Sequence, residues 1–381
     1  MIFRAGVVSA PESKRFLKPM KIFRLVLLFL FFAALLVGGL AFWSYREIHR
    51  PVAHSRADEY IEIPRGTSPA ETIARLESAG IIRHAWPLRI YLRLTGLGQR
   101  FKAGQYRFAS PISPLAVVRK LEEGQQRLSR FTIIEGWTRW DIAAAMARLP
   151  ELQLENADQA LLLFDDTSGI RDIDPEATNL EGYLYPDTYS FPPNTTAREM
   201  TSAMVRRFRQ VWNGELDEKA RALDKTPRQI VTVASLIETE AKLPEERPLA
   251  ASVIYNRLKL GMPLGIDSTV IYAAKLAGKW RNDGKVYQSD LDRLSPYNTR
   301  KVVGLPPGPL ASPSHASLEA ALSPAETDHL YYVRDPARND GAHNFYNNES
   351  DFQRGVQALR DWERARDARA TETQPEVNRN P

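Results

Sequence analysis

There is no cysteine among the 381 residues, so no disulfide framework supports the fold. No His, Cys and Asp cluster has zinc-ligand spacing, no glycine loop reads as a P-loop, and no G-x-S-x-G is present, so neither a metal nor a nucleotide cofactor is indicated. Internal repeats are missing too. A broad excess of positive charge is also lacking, although the formal net charge is +5. Six basic side chains (Arg4, Lys14, Arg15, Lys18, Lys21, Arg24) stand against Glu12 alone in the first 24 residues, and the rest of the chain is balanced. A balanced body offers no electrostatic footprint for nucleic acid.

What the chain does have is one long apolar run. Leu25 to Trp43 carries no charge, and about 20 apolar residues suffice to cross the hydrocarbon core of a bilayer. The run is longer than the core of a cleaved signal peptide, and no small-x-small cleavage site follows Trp43-Ser44-Tyr45-Arg46. The expectation is a retained single-pass anchor over 25–45. Its basic arm (1–24) stays in the cytoplasm, Phe42, Trp43 and Tyr45 lie at the outer interface, and the large C-terminal body is exported to the periplasmic side of the inner membrane. Residues 46–58 read as a short polar tether.

The first exported segment reads in the order β-α-α-β. Tyr60-Ile61-Glu62-Ile63 alternates as a strand, and Ser68-Pro69-Ala70-Glu71 has the N-cap, proline and glutamate of a helix start. A second helix is predicted from His84 to Thr95 and a strand at Gly104 to Phe108. A helix over Pro114–Glu122 and a strand over Arg130–Ile134 complete a small α/β unit. From Thr138 the pattern turns more helical, giving an α+β chain as a whole. Beyond Arg366 the tail lacks apolar periodicity and is expected to be disordered.

The chemistry concentrates in Ile230–Ala241, where Ile230, Val233, Ala234, Ile237 and Ala241 share one helical face. Glu238 and Glu240 fall on opposite shoulders of that face. A carboxylate bordering an apolar surface loses hydration, and its raised pKa suits a general acid for glycoside cleavage. Two solvated glutamates paired with Lys242 or Arg247 fit the same periodicity, and the wheel does not choose between the pair. Asp267 is placed to cap the next apolar helix. Ser295-Pro296-Tyr297-Asn298-Thr299 and Gly304-Leu305-Pro306-Pro307-Gly308-Pro309 are rigid loops whose hydroxyl, amide and ring groups suit a sugar chain, or serve as structural crossovers. His343, amid apolar neighbours, reads alone as a structural group, and Ser350-Asp351-Phe352-Gln353 as a helix start.

Together with Phe101–Phe108, Glu181-Gly182-Tyr183-Leu184-Tyr185-Pro186-Asp187-Thr188-Tyr189 and Ala251-Ser252-Val253-Ile254-Tyr255-Asn256-Arg257-Leu258, these segments resemble the MltG (YceG-like) family of endolytic murein transglycosylases. The resemblance implies that Glu240, second of the E-x-E pair, is the catalytic acid. It also implies that Glu238, Asn256, Asp267, Thr269, Tyr297, Asn298, Thr299 and His343 line a cleft for peptidoglycan glycan strands. Residues 59–130 would be a LysM-like subdomain and 131–366 the catalytic domain, followed by the tail 367–381. Gly265 and Ser268 depart from the family's usual Gln and Pro, which touches subsite contacts and not the acid. Penicillin-binding synthases are the partners implied. Two rivals follow from the same residues: a muramidase with Asp267 activating water, and a noncatalytic peptidoglycan-binding scaffold.

Overall fold

The computed structural model describes residues 19–372 apart from 100, 125, 126, 194 and 339. The basic arm expected over 1–24 lies mostly outside these residues, as do 373–381. The chain divides into two compact units, Met1–Arg127 and Leu128–Pro381.

In the first unit, α1 (Pro19–His49) contains a segment, Phe23–His49, long and apolar enough to cross a membrane. It is followed by β1 (Ile61–Ile63), α2 (Pro69–Ser78), α3 (Ala85–Thr95), β2 (Gly104–Tyr106) and α4 (Pro114–Glu123). The strands β1 and β2 pair antiparallel, Ile61 opposite Tyr106, so the β-α-α-β order holds. Ser68 and Ser113 accept backbone N–H bonds ahead of Pro69 and Pro114, which fixes where α2 and α4 begin. Ile73, Leu76, Leu88, Phe108, Val117 and Leu121 are fully buried between these helices.

The expected tether is not a free linker. α1 continues to His49, Ile48 is buried in the core of the first unit, and Val52 exchanges two backbone hydrogen bonds with Ile112 at 2.7 and 3.0 Å. Apolar Ile48 and Val52 sit among polar neighbours and gain more from burial than from water. The long helix therefore enters the first unit without slack.

The second unit runs β3 (Ser129–Thr132), α5 (Arg139–Ala147), α6 (Ala157–Phe164), β4 (Thr188–Phe191), α7 (Ala197–Val211), α8 (Gly214–Ala222), α9 (Pro227–Glu240) and α10 (Arg247–Lys259), then α11 (Asp267–Leu276), α12 (Gln288–Leu291), α13 (His315–Leu322), β5 (Tyr331–Arg334), β6 (His343–Tyr346) and α14 (Glu349–Glu372). Its sheets are two antiparallel pairs, β3 with β4 and β5 with β6. The strand expected to close the small N-terminal unit thus belongs here, because Phe131 pairs with Tyr189 some sixty residues on. Asn348, rather than Ser350, accepts the capping N–H of Asp351. Helix α14 passes the expected boundary at Arg366 because Ala and Arg, strong helix formers, dominate there.

The helix α9 is the axis of this unit. Val231, Thr232, Ser235 and Leu236 are as buried as the predicted face, so the helix is enclosed on all sides rather than along one stripe. Buried Ser235 is satisfied on both sides: it donates to the Thr232 carbonyl at 2.7 Å and accepts from Leu310 N–H at 3.2 Å. At its first turn Arg228 binds both oxygens of buried Asp174 (3.0 and 2.8 Å) and donates to the Pro307 carbonyl, while Tyr183 donates to Asp174 at 2.6 Å. This node fastens the proline loop and the Glu181–Tyr189 segment to α9. Gly182 has φ +79°, and a Cβ there would come within 2.5 Å of Pro309, so only glycine permits that approach.

Removing one partner strands a buried charge. Asp174→Ala is expected to lower unfolding free energy by about 3 kcal/mol in denaturant titration, with exposed Asp158→Ala within about 0.5 kcal/mol of the parent.

Candidate functional site

The helix α9 is buried from Ile230 to Ile237 and opens at its C-terminal turn, where two glutamates leave in different directions. Glu238 accepts from Ser314 N–H at 2.8 Å and from the Ser314 hydroxyl, and pairs with Arg247 at 3.2 Å. Its carboxylate is occupied in joining α9 to α10 and to the cap of α13. Glu240, partly buried, accepts from the Tyr332 hydroxyl at 3.0 Å and from the Ser268 hydroxyl at 3.2 Å.

Burial pushes the Glu240 pKa upward; the Tyr332 and Ser268 bonds oppose this, the Asp267 charge adds to the rise, and His343 draws it down. Desolvation dominates, so the group holds its proton more tightly than a free glutamate does. Tyr332 is itself raised well above the usual phenol range by burial and by Glu240, which keeps its hydroxyl a donor.

Four of the other expected site residues, Asn256, Thr269, Asn298 and Thr299, connect to the groups that hold this carboxyl by two routes. In the first, Asn256 donates to the carbonyls of Thr327 (2.7 Å) and His329 (3.0 Å), and Arg257 donates to Leu330 (2.6 Å) and Leu264 (2.8 Å). These bonds tie the end of α10 to the entry of β5 and so aim Tyr332 at Glu240. In the second, buried Thr269 and Thr299 share a hydroxyl contact at 2.8 Å, Thr299 accepts from Ile266 N–H, and buried Asn298 donates to the carbonyls of Leu291 and Arg293. This locks the loop before α11, which carries Ser268. The side-chain bonds of Asn298, and the two shorter ones of Asn256, are thus made with backbone; Asn256 also donates to the Ser252 hydroxyl at 3.4 Å.

Asp267 is the first residue of α11 and not its cap; Ile266 holds that position without a side-chain bond. Its carboxylate is exposed and pairs with Arg300 at 2.6 Å. Tyr297 rests against Tyr272 with ring centroids 4.7 Å apart. His343 presents its edge to the Tyr332 ring at 5.4 Å, and its backbone N–H and Nδ1 both donate to Glu246 at 2.7 and 2.8 Å. Glu246 is buried. That bond sets the proton on Nδ1 when the ring is neutral. A cavity of about 190 Å³ opens beside Ser268 and Thr239, with Tyr272, Lys275 and Asp141 in its wall.

Tyr332, Ser268, Glu246 and Arg300 were not among the expected residues. Tyr332 reads as an ordinary strand residue in Leu330-Tyr331-Tyr332-Val333, and only the alternation that turns it to the opposite side from Tyr331 hints at a role. Ser268 was noted solely for standing where the resembling family has proline.

The sequence matches the model of the YceG-like family over residues 61–358. It is 34% identical over 319 residues to a Bacillus subtilis protein named endolytic murein transglycosylase, covering 78% of this chain and 85% of that one. A protein of the same name from Streptococcus pneumoniae is 30% identical over 363 residues, covering 87% of this chain but 64% of the longer relative. The crystal structure of a yceG-like protein of Listeria monocytogenes superposes with a TM-score of 0.53 at 30% identity, covering 77% of this chain and 97% of that one.

Because the folded carboxyl of Glu240 holds its proton more tightly than an unfolded one, its ionisation costs stability as pH rises above the ordinary glutamate value. Glu240→Gln removes that cost. The variant should melt higher than the parent at neutral pH, with the advantage vanishing below about pH 4, where both states of the parent are protonated; calorimetry across pH reads it.

Proposed function

Since the chain belongs to the YceG-like family, we propose that it is a peptidoglycan lytic transglycosylase that cleaves the MurNAc–GlcNAc bond within glycan strands, with Glu240 as its one acid and base. The observation that carries this reading is the carboxyl of Glu240, held at the end of an enclosed helix with its pKa raised by burial and two hydroxyl donors fixing its position. In the first step the protonated Glu240 delivers its proton to the glycosidic oxygen as the bond to MurNAc C1 breaks. Tyr332 and Ser268 stabilise the carboxylate so formed. In the second step that carboxylate takes the proton of the same sugar's C6 hydroxyl as its oxygen closes on C1, leaving a 1,6-anhydro-MurNAc end and returning Glu240 to its protonated state.

Capture by the substrate's own hydroxyl dispenses with a second carboxylate and an activated water, which paired-carboxylate hydrolases require. Asp267 is the nearest rival for that second role, and its salt bridge to Arg300 engages the carboxylate that would have to activate water. Asp267, Tyr297 and His343 orient the sugars, while Glu238, Asn256, Thr269, Asn298 and Thr299 set the positions of the groups around Glu240. The first unit acts as a LysM-like subdomain. With α1 anchored in the inner membrane, its N-terminus cytoplasmic and the catalytic unit periplasmic, nascent strands leaving penicillin-binding synthases are the glycan within reach, and cutting them ends their elongation.

The test is mass spectrometry of glycan strands digested by the full-length protein in detergent, beside Glu240→Gln and Glu238→Gln. Anhydro-ended products should be abolished by Glu240→Gln. Reducing-ended products, heavier by one water, would instead establish a muramidase, and no products from any version a binding scaffold. Tyr332→Phe removes a donor that favours the carboxylate, so the Glu240 pKa rises further. Since the first step needs the acid form, the alkaline limb of kcat/KM should move to higher pH by up to about one unit, with a lower maximal rate.

A further inference from the structure

The first unit carries an apolar face that its own core does not use. On α3, Leu88 and Leu92 turn inward and are buried, whereas Trp86, Ile90 and Leu94 follow one another at i, i+4 and i+8 on the outer side, exposed at 40%, 49% and 82%. At about 1.5 Å per residue the stripe is some 12 Å long. It begins at the membrane helix: the Trp86 ring stacks on Trp43 of α1 with centroids 5.5 Å apart and planes 20° from parallel. Trp43 lies at the outer end of the uncharged run Leu25–Trp43, where tryptophan marks the boundary between acyl chains and headgroups.

In sequence the segment that carries the stripe has charge of one sign, bounded by Glu77, which accepts from Ala85 N–H at the start of α3, and by Glu122, which accepts from Gly98 N–H past its end. From Ser78 to Leu121 the sequence has eight Lys and Arg and no Asp or Glu, a local asymmetry hidden by the balanced total. Arg89 and Arg93, both exposed, flank the stripe along one side of α3. An apolar face with arginine along its edge is the pattern of a helix lying in a bilayer interface and meeting anionic headgroups.

We infer that the outer face of α3, through Trp86, Ile90 and Leu94, lies in the headgroup region of an anionic lipid bilayer beside the anchor. This rests on reading α1 as a membrane-spanning anchor. Because Ile48 and Val52 bind the end of α1 into the first unit, the contact is a second point of attachment, fixing the unit's tilt as well as its height. A helix alone would leave the unit free to swing; two attachments do not.

The absence of cysteine makes the test direct. Single-cysteine variants Leu94→Cys, Ile90→Cys, Leu35→Cys within α1, and Glu71→Cys on the exposed start of α2 are labelled with bimane. The full-length protein is then placed in vesicles of phosphatidylethanolamine and phosphatidylglycerol containing nitroxide-bearing lipids. Labels at Leu94 and Ile90 should be quenched severalfold more than the label at Glu71 by a nitroxide near the headgroup, with the label at Leu35 quenched by a nitroxide deep in the acyl chains. Replacing phosphatidylglycerol by phosphatidylcholine should weaken quenching at Leu94 and leave Leu35 unchanged. Quenching at Leu35 with Leu94 as open as Glu71 would overturn the inference and leave the anchor standing. No quenching at Leu35 would remove the anchor and the inference together. Shielding of Leu94 from aqueous iodide without lipid quenching would show that protein covers the face, and would also overturn it.

Discussion

The second unit is organised around the withdrawal of one carboxyl group from water. Glu240 ends a helix that is buried from Ile230 to Ile237, so its side chain leaves an apolar interior and meets two hydroxyls. Burial disfavours the charged form, and the hydroxyls restore part of what it lost. In the proposed reaction, that balance suits one group to give a proton and then take one back.

Much of the surrounding structure keeps that balance fixed. Ser268 and Tyr332 come from α11 and β5, 28 and 92 residues further along the chain. Each is aimed by side chains that bond to backbone: Thr269, Asn298 and Thr299 on one side, Asn256 and Arg257 on the other. Geometry set by such buried bonds is costly to disturb. The neighbouring glutamate illustrates the contrast, since Glu238, two residues away, is saturated by Ser314 and Arg247 and acts as a fastener.

Local chemistry made the first unit readable: its order followed from the cap at Ser68, from helical periodicity and from strand alternation, all within a few residues. Periodicity narrows the proposed catalytic glutamate to a pair, and only family resemblance chooses Glu240, because a helical wheel carries no information about what faces each shoulder. What stayed illegible was long-range. The pairing of Phe131 with Tyr189, the bond from Leu310 N–H to buried Ser235, and the bonds from Tyr332 and Ser268 all depend on segments far apart in sequence. The tether was misread because Ile48 and Val52, isolated apolar residues, do not announce that they complete another element's core.

The account reduces to the claim that the surroundings of Glu240 raise its pKa above the ordinary glutamate range. A carboxyl-resolved NMR titration of the protein labelled with ¹³C at glutamate, with Glu240→Gln to assign the signal, measures this directly. The account predicts that the Glu240 resonance titrates above the ordinary glutamate range, clear of the exposed glutamates. Titration together with those exposed groups would contradict it, because burial would then not be holding the proton that the first step delivers.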